Sequence, residues 1–327
     1  MRINQTRRRA ALAVLVAAAL AAPTFAAAQT YPDKPLRIMV GASPGGGTDI
    51  LARMLAEKFT AVFKQSVLVE NRPGASNTIA AEMTARAAPD GATLLLATNT
   101  GQAVAPHLMK LKYDPLKDLQ AIGLVAVMPN VLVVAADSPI KSVRDLVTAM
   151  QAKPGQIKYA SSGVGSTQHI AGEAFNLATG TKAIHVPYKG SAQAHIDIIG
   201  GSVEIMFDSA SSAMGQIKGG KFRALAMASP QRLAELPDVP TLAEQGIRGA
   251  EISTWYGLFV TAGVPRAVVE RLSAELTRAL AQPDVQARIK GLGGEITPLS
   301  VEQFAEMNRS EFERYGRLVK DANIKVD

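Results

Sequence analysis

The chain has 327 residues, 47% of them hydrophobic and 19% charged, which is too long for one small core and too apolar for a disordered segment. Its net charge of +7 does not mark a nucleic-acid binder. Arg2, Arg7, Arg8 and Arg9 lie in the first 28 residues, which hold no acid, and aromatic residues for base stacking make up only 5%.

The first segment reads as a cleavable signal peptide, residues 1–28. Met1 to Arg9 is basic, Ala10 to Ala22 is apolar, Pro23 breaks the run, and Thr24 to Ala28 supplies small residues for processing. The apolar run is short of the roughly 20 residues a membrane span needs. There is no cysteine, which excludes disulfides, a thiolate nucleophile, thiolate metal ligands and a lipoprotein anchor. The expectation is a product free in the periplasm.

The rest alternates between strand and helix patterns. Leu36–Val40 is a short apolar strand, Gly41 to Gly47 a glycine-rich turn, and Ile50, Leu51, Met54, Leu55 and Phe59 follow at helical spacing. Val67–Val69 is a strand ended by the turn signal Asn71-Arg72-Pro73-Gly74, and a helix runs on to about Ala87. Thr93–Ala97 is a third strand. The pattern restarts with a strand at Val131–Val134, a helix start at Ser142, and a strand at Ile157–Ala160 running into Ser161-Ser162-Gly163-Val164-Gly165-Ser166. A helix begins near Thr167, and Ala183–Val186, Val203–Phe207 and Arg223–Met227 are further strands. Beyond Arg266 the chain is mostly helical, with Ser300-Val301-Glu302-Gln303 resembling a capping box. Such alternation predicts α/β units with mainly parallel sheets.

Two loops stand between a strand and a helix, where unpaired N–H groups and the helix dipole favour an anion. The first, Gly41 to Asp49, lacks the lysine of a P-loop and is not a clean dinucleotide fingerprint. It reads equally as an anion site or as a plain turn capped by Thr48 or Asp49. Glu70 stands where a ribose-binding acid would, but an exported chain does not meet nicotinamide pools. The second, Ser161 to Thr167, has no Gly-x-Ser-x-Gly elbow, and no Ser–His–acid set stands out. His169 reads as a packed helix residue. The four histidines, His107, His169, His185 and His195, show no metal-ligand spacing. No metal or other cofactor is expected.

These loops and turns, in this order, carry a resemblance. Tyr31-Pro32-Asp33-Lys34-Pro35, Ser43 to Asp49, Val69 to Ala75, Pro89-Asp90-Gly91, Tyr159 to Gly163, His185 to Gly190, Leu236 to Thr241 and Trp255 to Leu258 span the mature chain. With them the sequence resembles the Bug receptors, the extracytoplasmic solute-binding proteins of tripartite tricarboxylate transporters. One departure is Gly41-Ala42-Ser43, where relatives often carry a proline and an aromatic residue.

The resemblance implies a two-lobed periplasmic-binding-protein (Venus-flytrap) fold, α/β, with a mainly parallel sheet in each lobe. Lobe one would be residues 29–129 plus 254–327, and lobe two residues 130–253. It implies a monomeric receptor, not an enzyme, that captures a small carboxylate in the cleft for the membrane subunits of the transporter. The expected ligand contacts are Ser43, Pro44, Gly46, Gly47 and Thr48, then Asn99, then Ser162, Gly163, Gly165, Ser166 and Thr167, with Asp208 at the end of a short strand. The competing readings are a secreted hydrolase or dehydrogenase, and a periplasmic co-sensor for a membrane kinase. Neither glycine loop holds a lysine or arginine, so the anion would be held by helix N-termini and hydroxyls.

Overall fold

The computed structural model describes residues 31–321 and 324. The expected signal segment lies outside them. In chain order the elements are β1 (Leu36–Val40), α1 (Gly47–Phe63), β2 (Val67–Asn71), α2 (Thr78–Ala85), β3 (Thr93–Thr98), a π turn at Thr100–Val104 leading into α3 (Ala105–Leu108), and β4 (Leu119–Ala135). There follow α4 (Val143–Ala152), β5 (Lys158–Ser161), α5 (Thr167–Thr179), β6 (Ile184–Pro187), α6 (Ser191–Ile199), β7 (Ile205–Ser209), α7 (Ala210–Lys218) and β8 (Phe222–Ala228). The chain closes with β9 (Ser253–Thr261), α8 (Arg266–Leu280), α9 (Pro283–Gly291) and α10 (Val301–Asp321).

The strands run in the order β2-β1-β3-β9-β4-β7-β5-β6, and β8 also pairs with β4. β1 is parallel to β2 and β3, and β5 is parallel to β6 and β7. Between these two parallel groups β9 and β4 run antiparallel to their neighbours. The 17-residue strand β4 is the pivot. Up to Pro129 it pairs with β9, and from Asn130 it pairs with β7 and β8. Pro129 has no N–H to donate, and it sits where the ladder changes partner.

Each half has its own core. Met39, Leu95, Trp255, Phe259 and Phe304 form one. Leu132, Tyr159, Phe175 and Phe207 anchor the other. A side chain on Gly257 would run into the Phe304 ring, so glycine there lets α10 lie flat on β9. The same helix reaches both cores, because Tyr315 and Val319 belong to the second. Its start is a reciprocal capping box. The Gln303 N–H donates to Ser300 Oγ at 3.1 Å, and the Ser300 N–H donates to Gln303 Oε1 at 2.8 Å.

Candidate ligand-binding site

Strand ends β1, β3, β5 and β7 point at one cleft, and the turns that leave them line it. The β1–α1 turn supplies Ala42, Ser43, Gly46, Gly47 and Thr48. Asn77, Thr98 and Thr100 flank it, and β9 adds Thr254 and Tyr256. The other half supplies Ser162, Thr167, Gln168, Gly190, Ser191, Ser209 and Ser212. No lysine or arginine is among these residues.

Four helices begin here: α1, α5, α6 and α7. Each leaves N–H groups in its first turn with no partner inside the helix. Ser166 caps α5, its Oγ accepting from the His169 N–H at 3.2 Å. The other three caps, Gly46, Gly190 and Ser209, make no side-chain cap bond. Ser209 could cap α7, but its Oγ is turned to Ser211 Oγ at 2.7 Å and to Tyr256 OH at 3.2 Å. The positive ends of these three helices thus meet the cleft without an oxygen from their own N-cap residue over them, and among the described residues only the Gly47 N–H of α1 is met by a hydroxyl, Ser212 Oγ.

The β1–α1 turn is held from behind. Buried Asp49 accepts from the Gly45 N–H at 3.0 Å, Asn71 Nδ2 at 3.0 Å and Arg53 Nε at 2.9 Å. Burial pushes the Asp49 carboxyl up, but the bonds from Arg53, Gly45 and Asn71 outweigh it and leave its pKa below the ordinary carboxylate value. Asn71 Nδ2 also donates to the Ala42 carbonyl at 3.0 Å.

The opposite wall is built on Asp208, which is fully buried. Its Oδ1 accepts from Gln168 Nε2 and Ser191 Oγ, both at 2.7 Å, and from the Ser209 N–H at 2.9 Å. Its Oδ2 meets His195 Nε2 at 2.7 Å. Because Nε2 of Gln168 is committed there, its Oε1 faces the second loop and accepts the Ser162 N–H at 2.5 Å.

Beneath that loop two imidazoles stack, His169 on His185, with ring centres 3.9 Å apart and planes within 7°. His169 Nδ1 accepts the Gly165 N–H at 3.0 Å, and His185 Nε2 meets Ser161 Oγ at 2.6 Å. Burial lowers His169 to about 4, and burial together with the neighbouring His169 lowers His185 to about 3. Both rings are therefore neutral near pH 7.

The halves touch across the cleft. Ser43 Oγ donates to the Lys189 carbonyl at 3.0 Å, the Gly47 N–H to Ser212 Oγ at 3.2 Å, and Ser76 Oγ to the Val164 carbonyl. Thr167 Oγ1 lies 2.6 Å from Thr254 Oγ1. The space left between them is about 40 Å³. That is room for about three waters, at some 10–15 Å³ of such space for each.

Of the residues singled out in the sequence, Ser43, Gly46, Gly47, Thr48, Ser162 and Thr167 line the cleft together. Asp208 and Ser166 stand one layer behind, acting through Gln168, Ser191 and the α5 cap. Gly163 and Gly165 shape the second loop with φ of 138° and 74°. Pro44 is exposed at the rim. Asn99 is buried at the pivot, where its Nδ2 donates to the Ser253 carbonyl at 2.9 Å and to Tyr315 OH at 3.1 Å. Sequence reasoning missed Gln168, Ser191, Ser212 and Tyr256. The run Ser209-Ala-Ser-Ser212 just after a short strand was the available signal, since it repeats the small-residue pattern of the other two loops.

The family model described as the tripartite tricarboxylate transporter family receptor matches residues 51–324. The "UPF0065 protein in tcbD-tcbE intergenic region" of a Pseudomonas species is 34% identical, covering 99% of this chain and 97% of that protein. Among solved structures, the periplasmic binding protein BugD superposes with a TM-score of 0.86 at 34% identity, covering 90% of this chain and 99% of that one. An R. palustris protein solved with adipate gives 0.87 at 30% identity, covering 90% and 99%. MatC from Rhodopseudomonas palustris with bound malate gives 0.84 at 30% identity, covering 88% and 100%. The chain therefore belongs to the tripartite tricarboxylate transporter receptor family, with the two-lobed α/β fold of periplasmic binding proteins.

Proposed function

We propose that this protein is a periplasmic receptor that closes over a small dicarboxylate and delivers it to the membrane subunits of a tripartite tricarboxylate transporter, without chemistry of its own. The observation that carries this reading is the meeting of four helix N-termini, three lacking a side-chain cap, in a cleft with no lysine or arginine. A buried carboxylate needs full hydrogen bonding. Each helix end offers free N–H groups and about half a positive charge. The relatives solved with adipate and malate hold dicarboxylates, which supports the choice of class.

The lobes in this reading are residues 29–129 plus 254–327, and 130–253. The exchange of β4 partners between Pro129 and Asn130 and the start of β9 at Ser253 support that division. α10, packed on both cores, is the strap across which they flex. Residues 1–28 direct export and are removed, leaving a monomer in the periplasm.

A hydrolase finds little support. Ser161 Oγ meets His185, but Ser161 is fully buried, and among the described residues no carboxylate bonds that imidazole. Ser191 and His195 share Asp208 without making a serine–histidine pair.

A melting screen of succinate, malate, adipate and citrate tests the proposal. At a hundredfold excess over Kd a ligand stabilises the native form by about 2.7 kcal/mol. At about 2–4 °C per kcal/mol for a chain of this size, Tm rises by about 5–10 °C. Mass spectrometry after incubation should return that compound unchanged. If no carboxylate shifts the melt, or the bound compound is consumed, the receptor reading fails.

A further inference from the structure

A second cavity lies outside the carboxylate cleft. It holds about 530 Å³, against about 40 Å³ in the cleft, and falls within the roughly 300–1,000 Å³ typical of small-molecule sites. Leu124 of β4 forms its floor. Leu276 and Leu280 of α8 with Ile289 of α9 form one wall, and Leu233 and Ala234, in the segment after β8, form the other. Leu124, Leu276, Leu280 and Ile289 are buried residues, so the apolar surface is recessed and not a scatter of exposed side chains. The hollow opens to solvent on one side, and its apolar lining atoms, lacking neighbours, forgo dispersion contacts that an occupant would supply.

The lining also says what kind of molecule fits. Its charged residues are Arg232, Glu235, Lys290 and Glu295, two of each sign. Arg232 is already held, its Nε 2.9 Å from Glu244. The Thr277 hydroxyl donates to the Ser273 carbonyl at 3.0 Å. The cavity therefore has no net charge and no free guanidinium fork for an anionic head, and its lysine, Lys290, is exposed to water. This is the opposite chemistry to the cleft, where polar hydroxyls and helix ends dominate the surface.

We propose that this cavity is a second ligand site, for a small uncharged apolar molecule such as an aromatic or branched hydrocarbon with at most one polar group. It does not depend on the carboxylate reading of the cleft. The probe is 1-aminoanthracene, uncharged at neutral pH and brighter on leaving water, titrated into the full protein. Saturable one-to-one binding is expected. Thr277→Trp and Ala234→Trp place an indole into the cavity from opposite walls at exposed positions, so at least one should fold, and each should weaken the dye about tenfold or more, or 1.4 kcal/mol. Thr48→Trp, which fills the carboxylate cleft instead, should leave dye binding unchanged. The proposal is overturned if the wild type shows no saturable binding, if binding survives both cavity variants, or if Thr48→Trp is the variant that removes it.

Discussion

Gly47→Ala is the sharpest probe of closure. Gly47 is the first residue of α1 and has no left-handed backbone, so alanine is tolerated locally. In a helix it is favoured over glycine by up to about 1 kcal/mol. The open lobe therefore keeps its stability. In the closed arrangement the added Cβ would fall inside contact distance of Ser211 Oγ, 2.9 Å from Tyr256 OH and 3.0 Å from Ser211 Cβ. To admit it, Ser211 must turn away from Ser209, at 2.7 Å, and from Tyr256, at 2.9 Å. At about 1 kcal/mol for each bond, the closed form weakens by about 2 kcal/mol. Ligand affinity should then fall about thirtyfold. Calorimetric titration measures the affinity, and small-angle scattering with saturating ligand reports whether the lobes close. Ser211→Ala removes the same two bonds, so the double variant with Gly47→Ala should lose no more affinity than Gly47→Ala alone, a non-additivity the cycle isolates. Wild-type affinity in Gly47→Ala would refute the reasoning. So would a ligand-free melt several degrees lower, since the defect would then lie in the fold.

Acid should weaken the protein through the stacked histidines. His169 is lowered to about 4 and His185 to about 3, so the unfolded chain takes up their protons first. Their contribution is complete above pH 6.5, declines as pH falls, and amounts to a loss of about 3 kcal/mol from His169 between pH 7 and 4. Urea unfolding across that range measures it, and His169→Asn, which keeps an acceptor for the Gly165 N–H, should flatten the curve. Asp49→Ala frees Gly45, Asn71 and the β1–α1 turn and should lower stability by about 2 kcal/mol, with weaker ligand binding; an unchanged urea midpoint would contradict the bracing role. Lys189 and Arg72 are exposed, and Arg72 is paired with Glu70, so Lys189→Ala and Arg72→Ala should each bind ligand within about threefold of wild type, below 1 kcal/mol. A larger loss in titration would mean a direct ion pair. Gly165→Val should instead lower the melting temperature, because the residue has φ of 74° and its Cβ would meet Leu108 at 2.6 Å, away from the cleft.

The alternation of short apolar strands and amphipathic helices was readable because its signals are local. β1, β3 and α1 follow the expected periodicity, and the Ser300 and Ser142 caps form as their spacing suggests. The long strand β4 was not readable over its first half. Gly123 and Pro129 interrupt the pattern, and register shifts occur between Ala121 and Gly123 and between Leu124 and Ala126. Strand direction was equally hidden, since β9 pairs with β3 and β4 across more than a hundred residues of sequence. In the site, the turn after β1 could be found from its glycines. Gln168 and Ser191 could not, because their orientation is set by Asp208 on another strand. That dependence is tertiary and leaves no spacing in the sequence.

Holding an anion with helix ends alone, as proposed, would also tie capture to motion. α1 follows β1 in one sheet region, while α5, α6 and α7 follow β5, β6 and β7 in the other. Apart, each terminus faces water, which solvates its N–H groups and screens its partial charge. An arginine in one lobe would attract the carboxylate with the lobes open. Here the full set of donors exists only when Gly47 comes within reach of Ser212, and Thr167 within reach of Thr254. A ligand shifts a conformational equilibrium only by its difference in affinity for the two states. In the proposed reading, placing nearly all of the donors at the join makes that difference large, so the ligand itself would drive closure. Separating the lobes would then disperse the donors and release the ligand without any charge having to be neutralised.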